Sequence, residues 1–194
     1  IKTGRAVEIV SVSARSKDMD RACDLSGIHW CDDLLVDMAE DASLDCIVEL
    51  IGGSDGIAYD LVKKALSRGV SVVTANKALL AHHGYELAIL ADKNGAELRY
   101  EAAVAGAIPV IKALREGLSA NTLETVYGIM NGTCNYILTE MERTGESFDD
   151  ILSDAQAKGY AEADPSFDVD GDDTGHKLSL LAALSFAMPP NFDH

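Results

Sequence analysis

Short apolar runs and longer periodic segments alternate through the first hundred residues. Ala6–Val12 (AVEIVSV), Cys46–Ile51 (CIVELI) and Val70–Val73 (VSVV) have the length and β-branched content of buried strands. Between and after them, Asp33–Ala39, Ala58–Arg68 and Gly84–Asn94 have the length and period of helices, the last stopped by Gly95. Glu97–Tyr100 predicts a further strand. Strands alternating with helices predict an α/β architecture: a mostly parallel sheet with right-handed crossovers, covered on both faces.

After residue 104 the pattern changes. Residues 105–118 (AGAIPVIKALREGL) predict a helix with Pro109 in its first turn, where proline is tolerated. Thr122–Met130 has the β-branched and aromatic content of a strand, and Asn131-Gly132-Thr133 reads as a turn with Thr133 as N-cap of the next helix. Phe148–Lys158 predicts another helix, ended by Gly159, and Asp172–Met188 a long, largely buried one. The chain divides accordingly into residues 1–104 and 105–194. There is no internal repeat and no low-complexity segment.

Composition narrows the classes. With 194 residues and 47% hydrophobic content the chain can bury a sizeable core. A net charge of -16 argues against nucleic acid and against anionic membrane surfaces as partners. Cys23, Cys31, Cys46 and Cys134 have no C-x-x-C spacing and read as buried thiols in a reducing compartment. No apolar run has transmembrane length and no signal peptide opens the chain, so a cytoplasmic protein is expected. The start at Ile1 without Met and the abrupt end after AMPPNFDH suggest sequence beyond both ends.

Ligands of open α/β sheets lie outside the carboxyl ends of the strands. Gly52-Gly53 and Thr74-Ala75-Asn76-Lys77 occupy those positions. The dinucleotide fingerprint G-x-G-x-x-G is not found, and GGSDG at 52–56 has the wrong spacing. Ala6–Val12 with Ser13-Ala14-Arg15 instead reads as a second strand with a basic tip, placing the first βα unit before Ile1.

The stretch GYAEADPSFDVDGDDTGHK (159–177) crowds Glu162, Asp164, Asp168, Asp170, Asp172 and Asp173 together and closes on Lys177. An EF-hand loop aligned on Gly171 puts Lys177 where a bidentate glutamate is required, so that reading fails. An acidic helix start, with Asp173 and Lys177 paired at i and i+4, accounts for some of the charges. It does not explain a lysine leading straight into the apolar LSLLAALSFA. Lys177 there, and Lys77 at a strand end, both suit carbonyl chemistry, in which an ammonium stabilises or protonates an alkoxide.

VELIGG (48–53), VVTANKALLA (72–81), EAAVAGAIPVI (101–111), GIMNGTCNYIL (128–138) and GYAEADPSFDVDG (159–171) together resemble homoserine dehydrogenases, in order and across nearly the whole chain. The resemblance implies a Rossmann-type domain followed by the start of an α+β substrate and dimerisation domain, with NAD or NADP as cofactor. It implies interconversion of L-aspartate 4-semialdehyde and L-homoserine, Lys177 moving the proton and Lys77 lying near nicotinamide and substrate. Glu162, Asp173 and Asp168 would serve the amino acid substrate, beside the turn Gly132-Thr133. Gly159, Gly52, Thr74 and Arg15 would lie toward the cofactor, Arg15 favouring a 2′-phosphate. A sodium site at Glu101, Val104, Gly106 and Ile108, and a homodimer or homotetramer, are implied in the same way. The carboxylates would then serve a zwitterionic substrate, and their charge would keep Lys177 protonated.

The chain departs from the family in lacking the N-terminal fingerprint, the rest of the substrate domain and a regulatory domain. Another dinucleotide-dependent amino acid dehydrogenase, the dehydrogenase half of an aspartate kinase fusion, and a non-catalytic dimerising paralogue remain as alternatives, with a calcium module the weakest.

Overall fold

The computed structural model describes residues 4–192; Ile1 and the last two residues, part of the basis for expecting sequence beyond both ends, lie outside the described residues. β1 (Ser11–Val12) and β2 (His29–Trp30) pair in parallel. A π-helical turn, Leu34–Met38, follows, capped by the Asp33 side chain, which accepts from the amides of Leu35 and Val36. Next come β3 (Cys46–Glu49), α1 (Ile57–Ser67), β4 (Ser71–Thr74), α2 (Lys77–Lys93) and β5 (Leu98–Arg99). Their strands form one parallel sheet in the order β3-β4-β5. This is the predicted α/β alternation.

One face of that sheet is covered. Ile47, Val72 and Leu98 pack with Leu61, Leu66, Leu79, Leu80 and Leu87 of α1 and α2. Full burial of each such leucine contributes roughly 1.5–3 kcal/mol. The expectation that both faces are covered is not met. Val48 and Val73, alternating with the buried positions, are 63% and 40% exposed, because nothing among the described residues packs over them. The strand predicted over Ala6–Val12 is also shorter than expected. Only Ser11–Val12 pairs, with β2 and not with β3, and Val7 and Ile9 are exposed.

The second half is helical. α3 (Glu101–Val104) and α4 (Val110–Lys112) lead into a π-helical turn, Ala113–Gly117. The helix predicted from 105 therefore starts only after Pro109, which caps it; Ala107, with a φ of 65°, interrupts any earlier start. No strand forms over Thr122–Met130, and Tyr127 and Ile129 are exposed. Strand propensity counts only where a neighbouring strand exists, and none among the described residues pairs with this one.

α5 (Gly132–Thr144), α6 (Phe148–Ala157), α7 (Ser166–Val169) and α8 (Asp172–Phe186) complete the chain. The N-cap of α5 is Asn131, not the predicted Thr133. α8 packs on α2 and α3, and its Leu180 and Leu181 join the core built by the sheet and α2. It is buried on that side only; Leu178 and Phe186 are exposed, against the expectation of a largely buried helix. This packing carries the first two turns of α8, with Lys177, to the start of α2, with Lys77.

Candidate functional site

At the carboxyl edge of the sheet, Glu49 is 1% exposed and binds the turn that follows it. Its Oε1 accepts from the amides of Ile51 (2.6 Å) and Gly52 (3.3 Å), and its Oε2 from the Thr74 hydroxyl. Gly52 and Gly53 have φ of 87° and 81°, left-handed backbone that glycine adopts without cost. Asn76 joins this turn to α2: Nδ2 donates to the Gly53 carbonyl (2.8 Å), while Oδ1 accepts the Leu79 amide (3.0 Å) as N-cap. Thr74 also accepts from the Asn76 amide (2.9 Å), so its buried hydroxyl is committed to scaffolding. The space where side chains would project from Gly52 and Gly53 is open for at least 4 Å. Arg15 is exposed on the bend after β1.

Lys77 and Lys177 converge on one carboxylate. Asp173, 4% exposed, accepts from Lys177 Nζ at 2.8 Å and from Asn131 Nδ2 at 2.9 Å through Oδ2, and its Oδ1 lies 3.1 Å from Lys77 Nζ. Burial alone would push the Asp173 carboxyl up; the bonds from Lys177, Asn131 and Lys77 outweigh it and hold the group below the usual carboxylate range. Lys177 also donates to the Met130 carbonyl (2.9 Å). Lys77 opens α2, an end where the helix dipole disfavours a cation, and the Phe167 ring lies 5.2 Å from its Nζ.

Asn131, read from the sequence only as part of a turn, joins this centre to a second carboxylate. Its two amide hydrogens go to Asp168 Oδ1 (2.7 Å) and Asp173 Oδ2 (2.9 Å), while its Oδ1 accepts the Cys134 amide (2.8 Å). That pattern fixes which end of the amide carries nitrogen. Thr133 shares its single hydroxyl proton between the Tyr160 carbonyl (2.8 Å) and Asp168 Oδ2 (3.1 Å). A cleft of about 520 Å³ opens over these groups, within the size range of small-ligand sites. Gly132, Thr133, Asp168, Asp173 and Lys177 line it, with Gly159 and the mutually tilted rings of Tyr136 and Tyr160 (4.9 Å between centroids) as a wall. Neither tyrosine was predicted; an N-cap asparagine ahead of Gly-Thr was the available signal for Asn131.

The other predicted residues lie apart. Glu162 is exposed and does not line the cleft, although Gln156 holds its backbone carbonyl (2.9 Å). The Glu101 carboxylate is committed to the amides of Ile111 (2.8 Å) and Lys112 (3.0 Å). The carbonyls of Glu101 and Ile108 already accept from Ala105 and Val110.

Two family models divide the chain between them: "Homoserine dehydrogenase, NAD binding domain" matches residues 2–101 and "Homoserine dehydrogenase" matches residues 109–194. A homoserine dehydrogenase from Pseudomonas aeruginosa is 49% identical over 192 residues, covering 99% of this chain and 43% of the relative. The crystal structure of a homoserine dehydrogenase from Thiobacillus denitrificans superposes with a TM-score of 0.82 at 49% identity, over 86% of this chain and 38% of that one. A hyperthermophilic archaeal homoserine dehydrogenase mutant in complex with NADPH matches with a TM-score of 0.70 at 34% identity, over 75% of this chain and 45% of that one. The chain thus spans less than half the length of these relatives. With the NAD binding domain model alone matching just over half of its residues, and strand-end glycines and a two-lysine carboxylate centre in place, the chain belongs to the homoserine dehydrogenase family.

Proposed function

We propose that this chain carries the cofactor edge and the proton-transfer centre of an NAD(P)-dependent oxidoreductase that interconverts L-aspartate 4-semialdehyde and L-homoserine. The observation that carries the reading is the Lys177 ammonium, held in the cleft between the Met130 carbonyl and Asp173. An ammonium has three donors, and these two contacts leave one for a substrate oxygen. In reduction, Lys177 gives that proton to the aldehyde oxygen as it becomes the hydroxyl of homoserine; in oxidation it takes the proton back. Asp173 pairs with both lysines at once, and Asn131 keeps Asp173 and Asp168 facing the cleft. Asp168 and Glu162 supply negative charge for the substrate ammonium.

When bound, a nicotinamide cofactor supplies the hydride, which no side chain here can provide. The residues fit such a cofactor: an open glycine turn at the sheet edge, braced by Glu49 and Asn76, lies on the path to Lys77. Gly52, Gly159 and Lys77 would hold it through backbone and charge, and Arg15 would meet a 2′-phosphate. The archaeal relative in complex with NADPH supports NADP among the two coenzymes.

The sodium site is the finer part of the proposal, and the residues fit it incompletely. The oxygens of Glu101 and Ile108 already accept amide hydrogens, so no catalytic step is drawn through an ion. A homodimer or homotetramer, a cytoplasmic location and a domain boundary near residue 104 belong to the same reading. Exposed Ile108, Tyr127 and Ile129 support the assembly, and free thiols at all four cysteines support the compartment, although only Cys31 is buried and Cys23 and Cys46 are exposed, against the expectation of buried thiols. Among the described residues, no helix is long and apolar enough to cross a membrane.

The test is homoserine-dependent formation of NADH and NADPH by the full-length protein beside Lys177→Ala. Turnover lost with cofactor affinity kept is the expected result. Turnover at the parent rate in the variant would remove Lys177 from the chemistry.

A further inference from the structure

Away from the cleft, His29, Cys31 and Asp37 gather on the β1–β2 side of the fold. A ring nitrogen of His29, the Cys31 sulfur and a carboxylate oxygen of Asp37 all lie within 4.8 Å of one another. His29, exposed, opens β2, and Cys31, 0% exposed, is fastened by its amide to the Val12 carbonyl (2.9 Å). Asp37 comes from the π-helical turn. Its Oδ2 accepts from the amides of Asp32 (3.1 Å) and Asp33 (3.0 Å), which holds the carboxylate in place and leaves Oδ1 over. Nothing in the proposed reaction uses these three residues.

We infer that His29, Cys31 and Asp37 form a binding site for a zinc-like divalent cation, with a water completing the fourth position. Imidazole, thiolate and carboxylate are the ligand types such an ion takes, and three protein ligands with one open position is a common zinc arrangement. Bonds of about 2.0–2.3 Å set tetrahedral ligands roughly 3.3–3.8 Å apart, so the observed spacing needs only small side-chain adjustments. The surrounding charge favours a dication. Burial is the main cause that pushes the Cys31 thiol up; a hydrogen bond with Ser11 opposes it, and the nearby Asp37, Asp41 and Asp32 add to it. Carboxylates that disfavour a lone thiolate favour a thiolate paired with a doubly charged ion. Binding exchanges the thiol proton, released to solvent, for a metal–sulfur bond, with no change of oxidation state. The bound ion would staple β2 to the π-helical turn.

The experiment is titration of the full-length protein with cobalt(II), followed by zinc competition. Expected is a near-ultraviolet thiolate-to-cobalt band that saturates at one equivalent, is bleached by zinc and is missing in Cys31→Ser. Because Cys31 is fully buried, that variant could fail to fold, so His29→Ala, at an exposed position, is the second probe. It should fold as the parent does and bind cobalt roughly tenfold more weakly or worse. Absence of the band in the parent, or parent-like affinity in His29→Ala, would overturn the site and mark any binding as adventitious capture elsewhere.

Discussion

At the scale of single residues, Asn131 does the work of two. Its carbonyl oxygen caps α5 and its amide hydrogens hold Asp168 and Asp173 side by side. Serine at this position retains a capping oxygen but cannot bridge two carboxylates. Asn131→Ser should therefore keep its melting temperature close to the parent's while kcat/KM for homoserine falls about 10–150-fold, the equivalent of a hydrogen bond to a charged group at ~1.5–3 kcal/mol. Asn131→Ala should lose activity and also about 1 kcal/mol of stability, read by urea denaturation. Equal activity in parent and serine variant would confine Asn131 to capping. Glu162 calls for the opposite kinetic split. It stands outside the cleft, and in the proposed reading it would meet the substrate only on binding, so Glu162→Ala should raise KM for homoserine and leave kcat nearly unchanged. Lys177 and Asp173 were legible because a lysine between carboxylates and an apolar run is a local oddity. Asn131 was not, since its two acidic partners are 37 and 42 residues away.

At the scale of elements, α8 and the part of α2 from Gly84 onward were readable because helical periodicity is a property of one segment alone, whereas the start of α2 from Lys77 to His83 was not predicted as helix. The strand predicted over Thr122–Met130 failed for the converse reason: a strand needs a partner, and the sequence names none. The seam between the two helices holds His176, 5% exposed and with neither ring nitrogen hydrogen-bonded. His82 and Lys77 face it from α2, Phe167 from α7, Phe192 from the segment after α8, and Asp172 and Asp173 from its own helix. Burial, reinforced by His82 and Lys77, holds the imidazole below its ordinary range, against the pull of Asp172 and Asp173. A base with a depressed folded pKa binds its proton more readily in the unfolded chain. The resulting stability is complete above about pH 6.5 and is lost as pH falls toward the lower folded value. His176→Leu should flatten that decline. Urea midpoints measured at pH 7.5 and 5.5 should differ less in the variant than in the parent, with the value at pH 7.5 unchanged or higher because an unsatisfied polar ring is gone. An equally steep acid decline in both would place the titration elsewhere.

At the scale of the whole molecule, the segments matched by the two family models are joined by apolar and ionic contacts at one seam. Leu180 and Leu181 of α8 share a core with Leu79 and Leu80 of α2, and beside them Lys77 meets Asp173. No pattern in either segment predicts this, because periodicity shows which face of a helix is buried but not against what. The consequence is that Lys77, at the carboxyl edge of the sheet, and Lys177, in the cleft, both pair with one carboxylate. Removing Lys77 should free Asp173 to bind Lys177 more closely, which disturbs proton transfer without touching Lys177 itself. Lys77→Ala and Asp173→Asn should then be non-additive. A double-mutant cycle on kcat/KM in the full-length protein is expected to give a coupling of about 0.5–3 kcal/mol, the range for residues in one network. The surface Arg143–Glu140 pair on α5, neither member of which lines the cleft, serves as the control, where coupling should stay near the ~0.2–1 kcal/mol of solvent-screened ion pairs and leave turnover unchanged. Additive losses at Lys77 and Asp173 would mean that the two lysines act independently and that the seam only holds the halves together.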